Sequence, residues 1–76
     1  MKPREIGRII KRLREQRGWT QVELARRAHL SQSYIAKLER PDYKMMPALD
    51  AAIRLAAAFG MDIDQLVKIS TKRRRT

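Results

Sequence analysis

The chain has 76 residues, 18 Lys/Arg against 8 Asp/Glu, a formal net charge of +10 and no cysteine. That length supports one domain with a small core, and the lack of thiols excludes a disulfide framework and a thiolate metal site. No apolar run approaches the roughly 20 residues of a membrane span and no secretory pattern opens the chain, so a cytoplasmic protein without membrane contact is expected.

Glycine is scarce and strand-like alternation is absent, so the fold is predicted to be all-α, a compact domain of five helices. The first spans about 4–16, where Ile6, Ile9, Ile10 and Leu13 make one apolar stripe. Gly18 stops it. Thr20 caps the second helix, about 21–28, and Glu23 three residues on completes a capping box. Trp19 and Leu24 can staple its entry, and Leu24, Ala25 and Val22 are its expected buried face. Ser31 caps the third helix, about 32–39, which buries Ile35 and Leu38 and ends before Pro41. After a loop at 40–45, Pro47 suits the first position of a fourth helix running through Leu49, Ala52, Ile53, Ala56 and Phe59 to Gly60. Asp62 and Gln65 form a second box opening a fifth helix over about 63–69, flanked by Met61 and Leu66. The domain is taken as 1–71, with 72–76 a basic, disordered tail.

Two caps eleven residues apart leave room for a short helix and a tight turn, the layout of a helix-turn-helix whose second helix can enter the DNA major groove. Charge supports this placement. Residues 1–40 carry eleven Lys/Arg against four acids, whereas 41–71 carry three bases against four acids and the tail adds four bases. A polyanion-facing surface is therefore concentrated on the first three helices and the tail. Arg8, Lys11, Arg12, Arg26 and Arg27 are expected to supply a general field rather than defined contacts. Lone His29 has no metal-site spacing. No Gly-rich phosphate loop or paired carboxylate arrangement exists, so no enzyme activity, cofactor, metal or small-molecule ligand is expected.

The segment Gly18-Trp-Thr-Gln-Val-Glu-Leu-Ala25, then Leu30-Ser-Gln-Ser-Tyr-Ile-Ala-Lys-Leu-Glu-Arg40, resembles the Cro/phage-repressor family, also called xenobiotic-response-element-like. Pro47-Ala-Leu-Asp50 and Phe59-Gly-Met-Asp-Ile-Asp-Gln-Leu66 resemble its last two helices. The likeness covers about 4–69 and implies a lambda-repressor-like fold with the helix-turn-helix at helices 2 and 3. His29 and Pro41 stand where the family usually has glycine; His tolerates a left-handed turn better than most residues.

The resemblance implies that Gln32, Ser33, Ala36 and Lys37 meet base edges. Gln can bond adenine N6/N7 bidentately, Lys suits guanine O6/N7, and an alanine methyl can meet thymine. Gln21 at the start of the second helix is assigned a phosphate. Tyr34, Arg40, Tyr43 and Lys44 are candidates for the flanking strand. Arg14 and Glu39 resemble a structural ion pair tying the first helix to the end of the third. Two-fold dimers reading half-sites about 34 Å apart are the usual route to specificity, and Phe59, Met61, Ile63, Leu66, Val67 and Ile69 are the expected dimer surface. Deleting the tail is expected to weaken binding at every sequence without changing base preference. The favoured function is a homodimeric repressor or autoregulator on double-stranded DNA, since little chain follows the fifth helix to hold an effector domain. An antitoxin that inhibits a toxin protein and autorepresses its operon is the alternative. A protein-interaction module without DNA binding is the third.

Overall fold

The computed structural model describes residues 3–43 and 47–72, with side chains at 6–43, 47–66 and 68. Five α-helices follow in order, α1 Pro3–Gln16, α2 Gln21–Ala28, α3 Gln32–Glu39, α4 Leu49–Ala58 and α5 Ile63–Lys72, with no strand among the described residues. The α1 stripe behaves as its spacing demands: Ile6, Ile9, Ile10 and Leu13 are all buried. They meet Leu24, Ala25 and Ala28 of α2, Ile35 and Leu38 of α3, Leu55 and Ala56 of α4, Phe59 and Leu66 in one core. Within it α2 packs on α3 and α4, while α1 lies on α3 and α5.

Local chemistry sets the helix-turn-helix boundaries. Thr20 Oγ1 accepts from the Glu23 N–H at 3.1 Å, and Ser31 Oγ accepts from the Tyr34 N–H at 3.1 Å, each satisfying a donor left over by its helix. Only the first half of the Thr20 box forms, because the Glu23 carboxylate is held by Arg26 and Arg27, each at 2.6 Å. The Asp62–Gln65 box is complete, with reciprocal bonds of 2.9 Å. Between α2 and α3, His29 sits in the left-handed region at φ 58° and ψ 43°. Its turn closes with Leu30 N–H donating to Ala25 O at 2.9 Å. The same closure ends α4, where Gly60 has φ 77° and Met61 N–H donates to Ala56 O. Arg54 of α4 reaches the turn and donates to His29 O at 3.0 Å.

Three expectations shift. Val22 is 55% exposed, because Leu24, Ala25 and Ala28 define the buried face and Val22 lies well over a quarter-turn from it. Leu49 and Ile53 of α4 are also exposed, on the side of the helix away from the buried Ala51 and Leu55. α4 begins two residues after Pro47, since Ala48 keeps an extended ψ of 153° and so acts as the cap. Ala48 has no side-chain oxygen to bond the helix start; its own N–H donates to the Tyr34 hydroxyl at 3.2 Å. α5 continues to Lys72, past the expected end near 69.

Gly7 fixes how α1 meets α3. A Cβ there would overlap the carbonyl oxygen of Leu38 and lie 3.3 Å from its carbonyl carbon. Glycine lets the two backbones touch at the last turn of α3.

Candidate nucleic-acid interface

α3 is held by its inner face and presents its outer one. Ile35 and Leu38 are 0% and 2% exposed, while Gln32, Ser33 and Lys37 are exposed and Ala36 is half-buried. Because Ser31 supplies the cap, the Ser33 hydroxyl is not needed for it. Gln32 and Ser33 therefore open the helix on the solvent side, and Lys37 follows about one turn later.

The far end of α3 is clamped. Arg14 bonds Glu39 through Nε at 2.8 Å and Nη2 at 3.0 Å, a two-pronged pair whose side chains are 11% and 3% exposed. Its third bond, from Nη1 to Trp19 O at 2.7 Å, brings in the entry to α2. Hydrogen bonding to Glu39 raises the Arg14 guanidinium above its ordinary pKa, against the opposing cost of burial; the charges of Glu39 and Glu15 add to the rise. The Gln21 amide joins the same carboxylate, donating to Glu39 Oε1 at 3.1 Å. Sequence reasoning assigned Gln21 a phosphate alone, and nothing in its local pattern pointed to a partner 18 residues away.

The flanking candidates divide. Tyr34 is half-buried and its hydroxyl accepts from Ala48, which leaves the hydroxyl proton available to donate. Arg40 is exposed and bonds Asp42 through Nε at 3.1 Å and Nη2 at 2.9 Å. Tyr43 is half-buried against the core. Lys44 lies outside the described residues.

The expected dimer surface needs correction. Phe59 and Leu66 are 4% and 1% exposed, enclosed by the protein's own core, so neither can meet a second copy. The Phe59 ring stacks on Trp19 at 6.0 Å between centroids. Arg17 lies over Phe59 and donates to its carbonyl at 2.9 Å, and Arg27 covers Trp19 at 4.4 Å. Met61 and Ile63 keep partial exposure; the side chains of Val67 and Ile69 lie outside the described set.

A buried-faced helix pair, a left-handed turn between them and a polar stripe on the second helix define a helix-turn-helix domain. The family model for the helix-turn-helix matches residues 10–66, and the chain belongs to that family. It is 40% identical over 62 residues to the immunity repressor protein of Bacillus phage phi105, covering 82% of this chain and 42% of that protein. It is 39% identical over 62 residues to the competence pilus inhibition repressor of Acinetobacter baylyi, covering 82% of this chain and 54% of that one. The chain thus spans about half the length of the curated relatives it matches. Among solved structures, the master regulator for biofilm formation SinR in complex with DNA superposes with a TM-score of 0.72 at 27% identity, over 82% of this chain and 97% of that chain. The SinR/SinI complex, at 24% identity and a TM-score of 0.75 over 93% of this chain and 68% of that chain, shares the fold.

Proposed function

We propose that this protein is a sequence-specific DNA-binding transcriptional repressor that acts in the cytoplasm and reads a palindromic operator as a homodimer. The observation that carries the reading is the orientation of α3: Gln32, Ser33 and Lys37 face solvent at its start and along its outer stripe while Ile35 and Leu38 lock its inner face. The helix projects from a basic body, which is the arrangement that brings base-reading side chains into a major groove. Repression is favoured because both curated relatives are named repressors and SinR, a fold relative, was solved with DNA.

In this reading Gln32 contacts an adenine edge, Lys37 a guanine edge, and Ser33 and Ala36 complete the stripe. Phosphates are taken by Gln21 at the start of α2, by the Tyr34 hydroxyl proton, and by Arg40, Tyr43 and Lys44 beyond α3. The second copy docks away from the basic face, on the near-neutral α4–α5 half, where Met61 and Ile63 offer apolar surface.

Selection of bound sites from random duplexes at stated salt gives half-site, spacing and symmetry together. On the selected site Gln32→Ala should cost roughly 1–3 kcal/mol and relax one base position. Equal losses on selected and random DNA would remove Gln32 from base reading. One protein bound per site, with a monomer in sedimentation, would remove the dimer.

A further inference from the structure

We infer that α1 contributes a defined phosphate seat: Arg8 and Lys11, together with Arg40, take one DNA backbone phosphate at the C-terminal end of α3. The inference rests on the DNA reading above and adds to it two residues otherwise counted as diffuse charge. A cleft of about 380 Å³ lies there, lined by Arg8, Lys11, Glu39, Arg40 and Pro41. Arg8 and Lys11 are three apart on a helix, so they share a face. Both are exposed, and neither has an ion-pair partner among the described residues.

The one acidic lining residue does not oppose an anion as its charge suggests. Both Glu39 oxygens are engaged, by Arg14 at 2.8 and 3.0 Å and by Gln21 at 3.1 Å, and its side chain is 3% exposed. Its charge is therefore already compensated inside the protein, while the cations of the cleft face out. Gly7, one residue before Arg8, brings α1 into backbone contact with Leu38 and so sets this cationic face beside the helix end. Arg40 bonds Asp42 through Nε at 3.1 Å and Nη2 at 2.9 Å, so its share of the seat is the remaining Nη1 edge of the guanidinium, and Arg8 and Lys11 supply most of the charge.

The location matches the backbone of a duplex whose groove α3 occupies. α3 has eight residues, so its two ends are about 12 Å apart. The major groove is about 12 Å wide and edged by phosphates. With Gln32 at the base edges, the opposite end of α3 reaches the bounding strand, where Arg8, Lys11 and Arg40 wait.

The test is a salt titration of DNA affinity by fluorescence anisotropy for the wild type, for the Arg8→Gln/Lys11→Gln double variant, and for Arg26→Gln as a control on α2. Melting curves verify that each is folded, which the exposure of all three positions favours. The double variant should lower the slope of log affinity against log salt by about 0.9 for each phosphate it no longer neutralises, roughly tenfold in affinity near 0.1 M salt, equally on selected and random duplexes. Arg26→Gln should change the slope much less. A neutral methylphosphonate at the flanking position should weaken the wild type several-fold more than the double variant, which keeps only Arg40 at the seat. A double-variant slope equal to that of Arg26→Gln would overturn the seat. So would an unchanged DNA slope with calorimetric loss of polyglutamate binding, which would assign the cleft to an acidic protein. Failure of the DNA reading itself is separate: the wild type would then select no duplex at all.

Discussion

Substituting Gly7 by alanine sets two effects of known sign against each other. In an exposed helix interior the change gains about 1 kcal/mol in propensity. Here the added methyl overlaps the Leu38 carbonyl oxygen, and α3 must retreat by roughly an ångström before ordinary contact, 3.4 Å or more, returns. The retreat is resisted, since Leu38 and Ile35 are fully packed and Glu39 is bonded to Arg14 at 2.8 Å. Overpacking of this kind typically costs about 1–3 kcal/mol, and an unyielding backbone oxygen places it at the upper end. The expected net result is a loss of about 1–2 kcal/mol, or a melting temperature lower by roughly 4–8 °C per kcal/mol in a domain of this size. Urea unfolding with an unchanged m-value measures it, and affinity for the selected duplex reports whether the recognition helix has moved. A stabilisation near 1 kcal/mol with unaltered affinity would refute the reasoning, because α1 would then have yielded without disturbing α3.

Removing one partner of the buried pair, as in Glu39→Ala, should cost about 3 kcal/mol by leaving Arg14 uncompensated, whereas Arg14→Met with Glu39→Met should recover much of it; a double-mutant cycle measures both, and a Glu39→Ala loss below about 1 kcal/mol would contradict the clamp. His29→Gly should stabilise by up to roughly 1 kcal/mol, since glycine is unstrained at a φ of 58° and only its greater freedom in the unfolded chain opposes the gain; a loss in urea unfolding would show that the imidazole contributes more than the backbone costs. Glu23 is held below the ordinary carboxylate range, chiefly by its hydrogen bond from Arg26, with that from Arg27 adding to it against desolvation. Its contribution is therefore complete above the unfolded-state pKa and disappears as pH falls through the lowered folded value. An NMR titration should place the Glu23 midpoint below that of an unpaired glutamate, and Glu23→Gln should flatten the acid limb of stability; a midpoint no lower than that of an unpaired glutamate would discard the pairing.

What the sequence displayed best was whatever a few neighbouring residues decide. The limits of α2 and α3 follow from Thr20, Ser31 and a left-handed His29, and all three act within one turn of helix. The α1 stripe was equally plain because four apolar residues at helical spacing leave one way to bury them. Properties that depend on a distant partner were hidden. Gly7 carries no local signal in the sequence, and its purpose appears only against Leu38. Gln21 reads as a helix opener until Glu39 is beside it. Phe59 and Leu66 announce burial by their chemistry, yet composition cannot distinguish a core from an interface, and here both belong to the core. Leu49 and Ile53 show the reverse case, large apolar side chains left on the outside of α4.

Under the proposed function the two ends of α3 have separate duties, a division that would let so small a body support base reading. The N-terminal end carries the exposed Gln32 and Ser33, which in that reading need freedom to meet a base edge. The remainder is immobilised from three sides: backbone contact with Gly7, the Arg14–Glu39 pair, and Tyr34 bonded to the start of α4. None of those clamps depends on the exposed cations that attract a polyanion at long range. Attraction and alignment are thus carried by different residues. Bidentate base contacts require placement within hydrogen-bond tolerance, whereas counterion release requires only proximity. Loss of a clamp therefore acts on the ratio between selected and random DNA, and loss of surface charge acts on both together.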